Sequence, residues 1–246
     1  MTTNRPASHT TASHTTASDP TAPHPSTSQR GTFARLALPI AATALTLTAC
    51  NVNIDFDEES VSQTFELDGF DSIIIDAPFD VTVRQGDSQR ILVEVGESLL
   101  DDLVVDVVDG ELRIDLDTSS FNIHRDLVAT ITVTDLESLH ASSASDVTLV
   151  DLDVDDLDVR IDEASQVSMS GSIQSLELDM SEASEADLDG TAIGTVALEM
   201  SEASSADFPD TVDAINGSIR GASSLDVADE TVVRVETSGA SSIDRN

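Results

Sequence analysis

Three glutamates, Glu163, Glu182 and Glu202, recur at nearly equal intervals, each directly before an Ala-Ser step. Four aspartates, Asp187, Asp207, Asp226 and Asp244, stand four positions after the alanine of such a step. Residues of equal phase on stacked strands lie about 4.8 Å apart, and like charges that close disfavour each other's ionisation. A file of carboxylates must therefore spread into water, take up protons or be bridged by cations. Hard divalent ions accept carboxylate oxygens, so Glu163, Glu182, Glu202, Asp187, Asp207 and Asp226 are candidate ligands for weak Ca²⁺ binding. The competing reading is a solvated acidic face with splayed side chains. The Gly-Gly-x-Gly-x-Asp nonapeptide of dedicated calcium coils is not in the sequence.

The same spacing meets the roughly 5–5.5 Å carboxylate separation of retaining glycosidases, with Arg220 near the same phase. Any acidic repeat meets that distance automatically, so it carries little information. Sugar-cleaving sites usually offer aromatic platforms, and this chain has no Trp or Tyr. Beyond its N-terminal segment the only histidines are His124 and His140, and nothing supports a Ser-His-Asp assembly. The sequence nominates no catalytic residue and no cofactor.

The carboxylates owe their spacing to a repeat. Ala-Ser steps occur at Ala144, Ala164, Ala183, Ala203, Ala222 and Ala240, at a nearly constant spacing. A fixed period of this kind marks a solenoid whose repeats stack one on the next. Apolar residues keep phase around each step, as in Leu157, Leu176, Val196, Ile215 and Val233 seven before the alanine. Val147, Val167, Ala186, Ala206, Leu225 and Ile243 stand three after it. Apolar residues two apart with polar ones between are strands with one buried face. The alternation breaks at the alanine, which marks a bend; an alanine pointing inward there obliges the strand to turn around it. The fold class expected is all-β, a single-stranded parallel β-helix (solenoid) with one coil per repeat.

Before the repeat lies a targeting signal. Arg30 and Arg35 flank a largely apolar run, Leu36 to Ala49. Spanning a bilayer takes about 20 residues. This run is shorter and suits the core of a secretion signal. It ends at Leu47-Thr48-Ala49-Cys50, which resembles a bacterial lipobox, and Cys50 is the only cysteine. We therefore expect cleavage before Cys50 and acylation of its thiol. Residues 1–49 form the signal, with a long low-complexity n-region whose His9, His14 and His24 are lost at processing. Residues 50–63 form a lipidated, acidic tether, and residues 64–246 the domain.

From Cys50 onward, eight arginines face 46 acidic residues, a formal charge of −38. That charge argues against nucleic acid and against adsorption to an anionic membrane surface. Membrane contact is expected through lipid alone, and an envelope protein or polysaccharide is the expected class of partner.

Strand signals crowd the first part of the domain: Ser72–Asp76, Phe79–Val83, Arg90–Val95, Val104–Val108, Glu111–Leu116 and Leu127–Val133. Asp109-Gly110 suits a type I′ hairpin turn, and Leu99–Leu103 is at most one helical turn. Gly69-Phe70, Ile73, Phe79-Asp80-Val81 and Gln85-Gly86 form an ordered pattern, followed by Gly221-Ala222-Ser223 and Ser238-Gly239-Ala240-Ser241. In that order they resemble the family called putative auto-transporter adhesin, head GIN domain, over about residues 64–246. The chain departs from it by placing Ser143, Glu163, Glu182 and Glu202 where the family has glycine. The resemblance implies a right-handed β-helix in an extracytoplasmic setting, and it supplies no catalytic residues. The function expected is that of a non-enzymatic cell-envelope lipoprotein presenting an acidic surface for binding or adhesion. A polysaccharide-acting enzyme and a divalent-cation-binding envelope protein are the alternatives.

Overall fold

The computed structural model describes residues 60–117 and 127–245. Cys50, the signal, most of the tether and His124 lie outside the described residues.

Within the repeat, the alternation of apolar and polar residues produces strands that stack in parallel. The strands β9 (Asp146–Ile161), β10 (Gln166–Met180) and β11 (Glu185–Met200) are long and continuous, and each pairs in parallel with the next, with one shift of register at the first bend. In β9 the inward residues are Val147 and Leu149, then Leu152 and Val154, then Leu157, Val159 and Ile161. Alternation breaks at Val150-Asp151, at Asp155-Asp156 and again after Ile161. Each break is a bend, so the coil has three straight sides. Below β11 the sides become separate strands. One side continues through β12 (Ser205–Asp207), β14 (Ser224–Val227) and β16 (Ser242–Arg245), and another through β13 (Ala214–Ile219) and β15 (Val232–Thr237). The parallel β-helix expected from the repeat is the fold observed.

The first part of the domain completes the solenoid out of sequence order. Strands β2 (Ser72–Asp76) and β3 (Phe79–Gln85) make one coil, with Ala77-Pro78 at its corner. Strands β6 (Glu111–Leu116) and β7 (Leu127–Val133) lie on one side of it, and β8 (Ser138–Ser142) and β9 on the other. The chain thus builds the middle coil first, then a coil above it, and then crosses to continue below. Antiparallel strands decorate the upper end: β1 (Ser60–Phe65) on β4 (Arg90–Gly96), β4 on β7, and β5 (Leu103–Val108) on β6. The β5–β6 hairpin turns at Asp109 (φ 54°) and Gly110 (φ 90°), as the Asp-Gly pair predicts. Glu97–Leu99 is a single 3₁₀ turn. Strand structure begins at Ser60, inside the stretch read as tether.

One core threads every coil. Phe79, Ile73, Ile75, Ile91, Ile114 and Ile131 fill it at the top, and Val159, Leu178, Leu198 and Ile215 lower down, all at most 1% exposed. Stacking leaves each coil no independent core, so burial is continuous along the solenoid axis.

Candidate functional site

The corner is where the carboxylates of the repeat are set. In Asp162-Glu163-Ala164-Ser165 the Ser165 amide donates to the Asp162 carbonyl at 3.1 Å. The same closure joins Ser145 to Ser142 and Ser184 to Ser181, each at 3.3 Å. Both central residues carry positive φ: 52° and 62° at Glu163-Ala164, 57° and 66° at Glu182-Ala183, and 57° and 72° at Glu202-Ala203. Two successive left-handed residues define a type I′ turn, which favours Gly, Asn and Asp. Here Glu and Ala occupy it, at about 1–2 kcal/mol of steric penalty for a left-handed residue with a Cβ. Stacking compensates, since the Ala144, Ala164 and Ala183 amides donate to the Glu163, Glu182 and Glu202 carbonyls of the next coil at 2.9–3.0 Å.

The six alanines do stand at the bend, but their side chains face solvent rather than the interior. This corrects the inward placement considered above. The inward residue is the serine that follows: Ser145, Ser165, Ser184, Ser204 and Ser223 are at most 1% exposed. The hydroxyls of Ser204 and Ser223 serve their own turns, the Ser165 hydroxyl accepts from the Ser145 amide of the neighbouring coil at 3.2 Å, and the Ser145 hydroxyl has no partner among the described residues. The Ser204 hydroxyl donates to the Ser201 carbonyl at 2.6 Å and Ser223 to Arg220 at 3.0 Å, and Ser184 reaches Ser204 at 3.4 Å. At Ser204 and Ser223 the hydroxyl gives the turn carbonyl its donor; in the Ser145, Ser165 and Ser184 turns the serine amide does so.

Glu163, Glu182 and Glu202 are exposed, one above the next. Among the described residues, Glu163 alone of the three uses its carboxylate in a hydrogen bond, accepting from the Ser143 hydroxyl at 3.2 Å. The ladder register confirms the second file: Asp187 lies beside Asp207, Asp207 beside Asp226, and Asp226 beside Asp244. Partial desolvation raises the Asp207 carboxyl above its ordinary value, and Asp189, Asp226 and Asp187 add repulsion. Among the described residues, no three His, Cys, Asp or Glu side chains converge where a metal ion could sit. The two files are ribbons of charge rather than cages.

A concavity lies elsewhere, and the sequence reading missed it. A groove of about 800 Å³ runs beside the Asp155-Asp156 bend, walled by Asp153, Asp155, Asp156 and Asp158 of β9 and Glu177 of β10. The segment after β7 supplies Asp135 and Glu137 to the opposite wall. Gln85 fixes the junction: it accepts from the Asp153 amide at 2.8 Å and donates to the Thr134 carbonyl at 3.3 Å. The signal was the run Asp151-Leu-Asp-Val-Asp-Asp-Leu-Asp158, which alone reads as a solvated face. Seven carboxylates on a concave wall focus negative potential and suit a cationic or multiply hydrogen-bonding ligand. No aromatic side chain lines the groove.

His140 lies on the adjacent side. Its Nε2 is 3.2 Å from Asp162 Oδ2, which also accepts from Arg160 Nε at 3.1 Å. This bond to Asp162 is the main reason that the Arg160 guanidinium is held above its ordinary value. Ser142 and Ser143 both donate to Asp76 at 3.0 and 3.1 Å, so no hydroxyl is bonded to the imidazole among the described residues. Arg220 is exposed and contributes its backbone to the corner.

With this geometry in view, comparison with known proteins is direct. The profile of the family described as putative auto-transporter adhesin, head GIN domain, matches residues 69–245. The chain belongs to this family. The GIN-domain match spans the out-of-order coils and every Ala-Ser corner, so the repeat and its decorated upper end are one family unit. Solved structures share the fold at low sequence identity. A crystal structure described as a putative adhesin from Bacteroides fragilis aligns with TM-score 0.60 at 15% identity, over 77% of this chain and 98% of that one. One described as a putative lipid binding protein from Parabacteroides distasonis aligns with TM-score 0.50 at 12% identity, over 77% and 98%. No curated protein is significantly similar in sequence.

Proposed function

We propose that this GIN-domain protein is a non-enzymatic, lipid-anchored component of the cell envelope that holds an acidic solenoid outside the cytoplasm to bind a partner. The observation that carries the reading is the groove at the Asp155-Asp156 bend. It is a concave, carboxylate-lined surface on a fold whose family is described by adhesion. Recognition there is electrostatic and hydrogen-bonded, directed at an envelope protein or a polysaccharide bearing cationic or amino groups. Cys50 supplies the anchor: the apolar run and the Leu-Thr-Ala-Cys ending support cleavage and acylation there, and two or more acyl chains hold a protein firmly where one does not.

The test is one panel of envelope polysaccharides and purified envelope proteins, assayed for both binding and turnover. Binding should occur without product release, weaken as ionic strength rises, and fall in the double substitution Asp155→Asn/Asp156→Asn. Product release that Glu182→Gln abolishes would instead make the acidic file catalytic and overturn the reading.

A further inference from the structure

The lower end of the solenoid is built differently from its interior. Among the described residues, β15 pairs only with β13 and β16 only with β14. Each therefore presents an edge of unpaired amides and carbonyls, a template for another strand. The inner files also run out there. Seven before the alanine, Leu157, Leu176, Val196 and Ile215 are at most 2% exposed, yet Val233 is only half-buried. Val235 and Ile243 are half-buried too, while Leu225, in the file of Ile243 one coil above, is fully buried. Solenoids need a polar cap to stay soluble, and here the inward residues Val233, Val235 and Ile243 of the last coil are left partly uncovered.

The edge strands themselves carry balanced charge. The coil Asp146–Ser165 holds eight acidic residues and one arginine. The stretch Val232–Arg245 holds Arg234 and Arg245 against Glu236 and Asp244, for no net charge.

We propose that the edge of β15 is a homodimer interface, in which two copies pair tail to tail about a two-fold axis at Val235. Continuing one sheet through such an axis keeps inner faces together, so residue pairs sum to an even number. Centring on Val235 sets Val235 against its own copy and Val233 against Thr237. It sets Arg234 against Glu236 of the second copy, twice, on the outer face where both side chains are exposed. Opposite charges directly across an antiparallel pair attract. The same register thus joins unpaired backbone, half-buried valines and complementary charge. A two-fold contact closes on itself and grows no filament.

The test is the mass of the full-length protein extracted in detergent, measured by light scattering with the detergent subtracted, over about 10–100 μM, where a small interface shows itself. The wild type should have twice the mass of one chain. Arg234→Glu and Glu236→Arg should each weaken dimerisation about tenfold or more. An equimolar mixture of the two should dimerise, because each mismatch finds its complement. The double variant Arg234→Glu/Glu236→Arg, which keeps the charge of the coil, should dimerise as the wild type does. A monomeric wild type overturns the proposal and leaves the edge to a different protein. Masses beyond two copies, single variants that dimerise normally, or a double variant that remains monomeric while folded overturn it as well.

Discussion

Ala203 and Ser204 divide the corner between them, the alanine outside in a left-handed conformation and the serine inside closing the turn. The two positions should therefore respond oppositely to substitution. Ser204→Leu should cost about 1–3 kcal/mol, by overpacking and by stripping the Ser201 carbonyl of its donor. Ala203→Gln should cost less than about 0.5 kcal/mol, as an exposed change of side chain. Ala183→Gly should stabilise by about 0.5–1 kcal/mol, because glycine enters the left-handed region without steric penalty. Urea unfolding of the three variants checks this, and a destabilising Ala183→Gly would contradict the turn geometry. The inward serine was legible in retrospect: Ser145, Val147 and Leu149 alternate, as do Ser165, Val167 and Met169. A small polar residue simply does not announce burial, and two successive positive φ values hide the change of phase. Asp207 adds a pH dependence. Its folded-state carboxyl is raised, so the folded chain holds that proton more tightly than the unfolded chain. The stability this contributes is present below the ordinary aspartate range and lost as pH rises through the folded value. Asp207→Asn should accordingly melt above the wild type at pH 7, with the advantage shrinking towards pH 3.5; a constant difference across that range would remove desolvation as the cause.

At the scale of elements, the repeat strands were readable because their inner faces alternate at period two against a fixed corner. The expected Ser72–Asp76, Glu111–Leu116 and Leu127–Val133 are strands with those bounds. The order of the coils was not readable. Ile75 pairs with Ile114 on one side and Ala141 on the other, and no local pattern tells a chain to build its middle coil first. The groove was hidden for the same reason, since Asp135 and Glu137 meet the Asp153–Asp158 run only through that crossing. The bends between sides depend on close approach. At Gly171 (φ +127°) an added Cβ would lie 2.2 Å from the Leu152 carbonyl oxygen and 2.5 Å from its nitrogen. This is where the pairing of β10 with β9 slips in register. Gly171→Ala should therefore cost about 2 kcal/mol or more, through backbone displacement rather than lost packing. Thermal melting measures the cost, and a neutral substitution would show that the bend has slack.

For the whole molecule, a charge of −36 means that self-repulsion opposes the compact state. Raising NaCl from about 20 mM to 0.5 M should increase the melting midpoint as the Debye length shortens. The ribbons of Glu163, Glu182 and Glu202, and of Asp187, Asp207, Asp226 and Asp244, lack a convergent cage among the described residues. Ca²⁺ at matched ionic strength should then give the same midpoint as NaCl, and a higher one would establish bridging between coils. The envelope role depends most on what happens at Cys50, because a solenoid kept in the cytoplasm has no partner outside it. The decisive measurement is the mass of the N-terminal peptide of the protein isolated from membranes. The account predicts a chain beginning at Cys50 with a diacylglycerol on its sulfur. A mature chain that retains Met1, or begins at an unmodified Cys50, would contradict it.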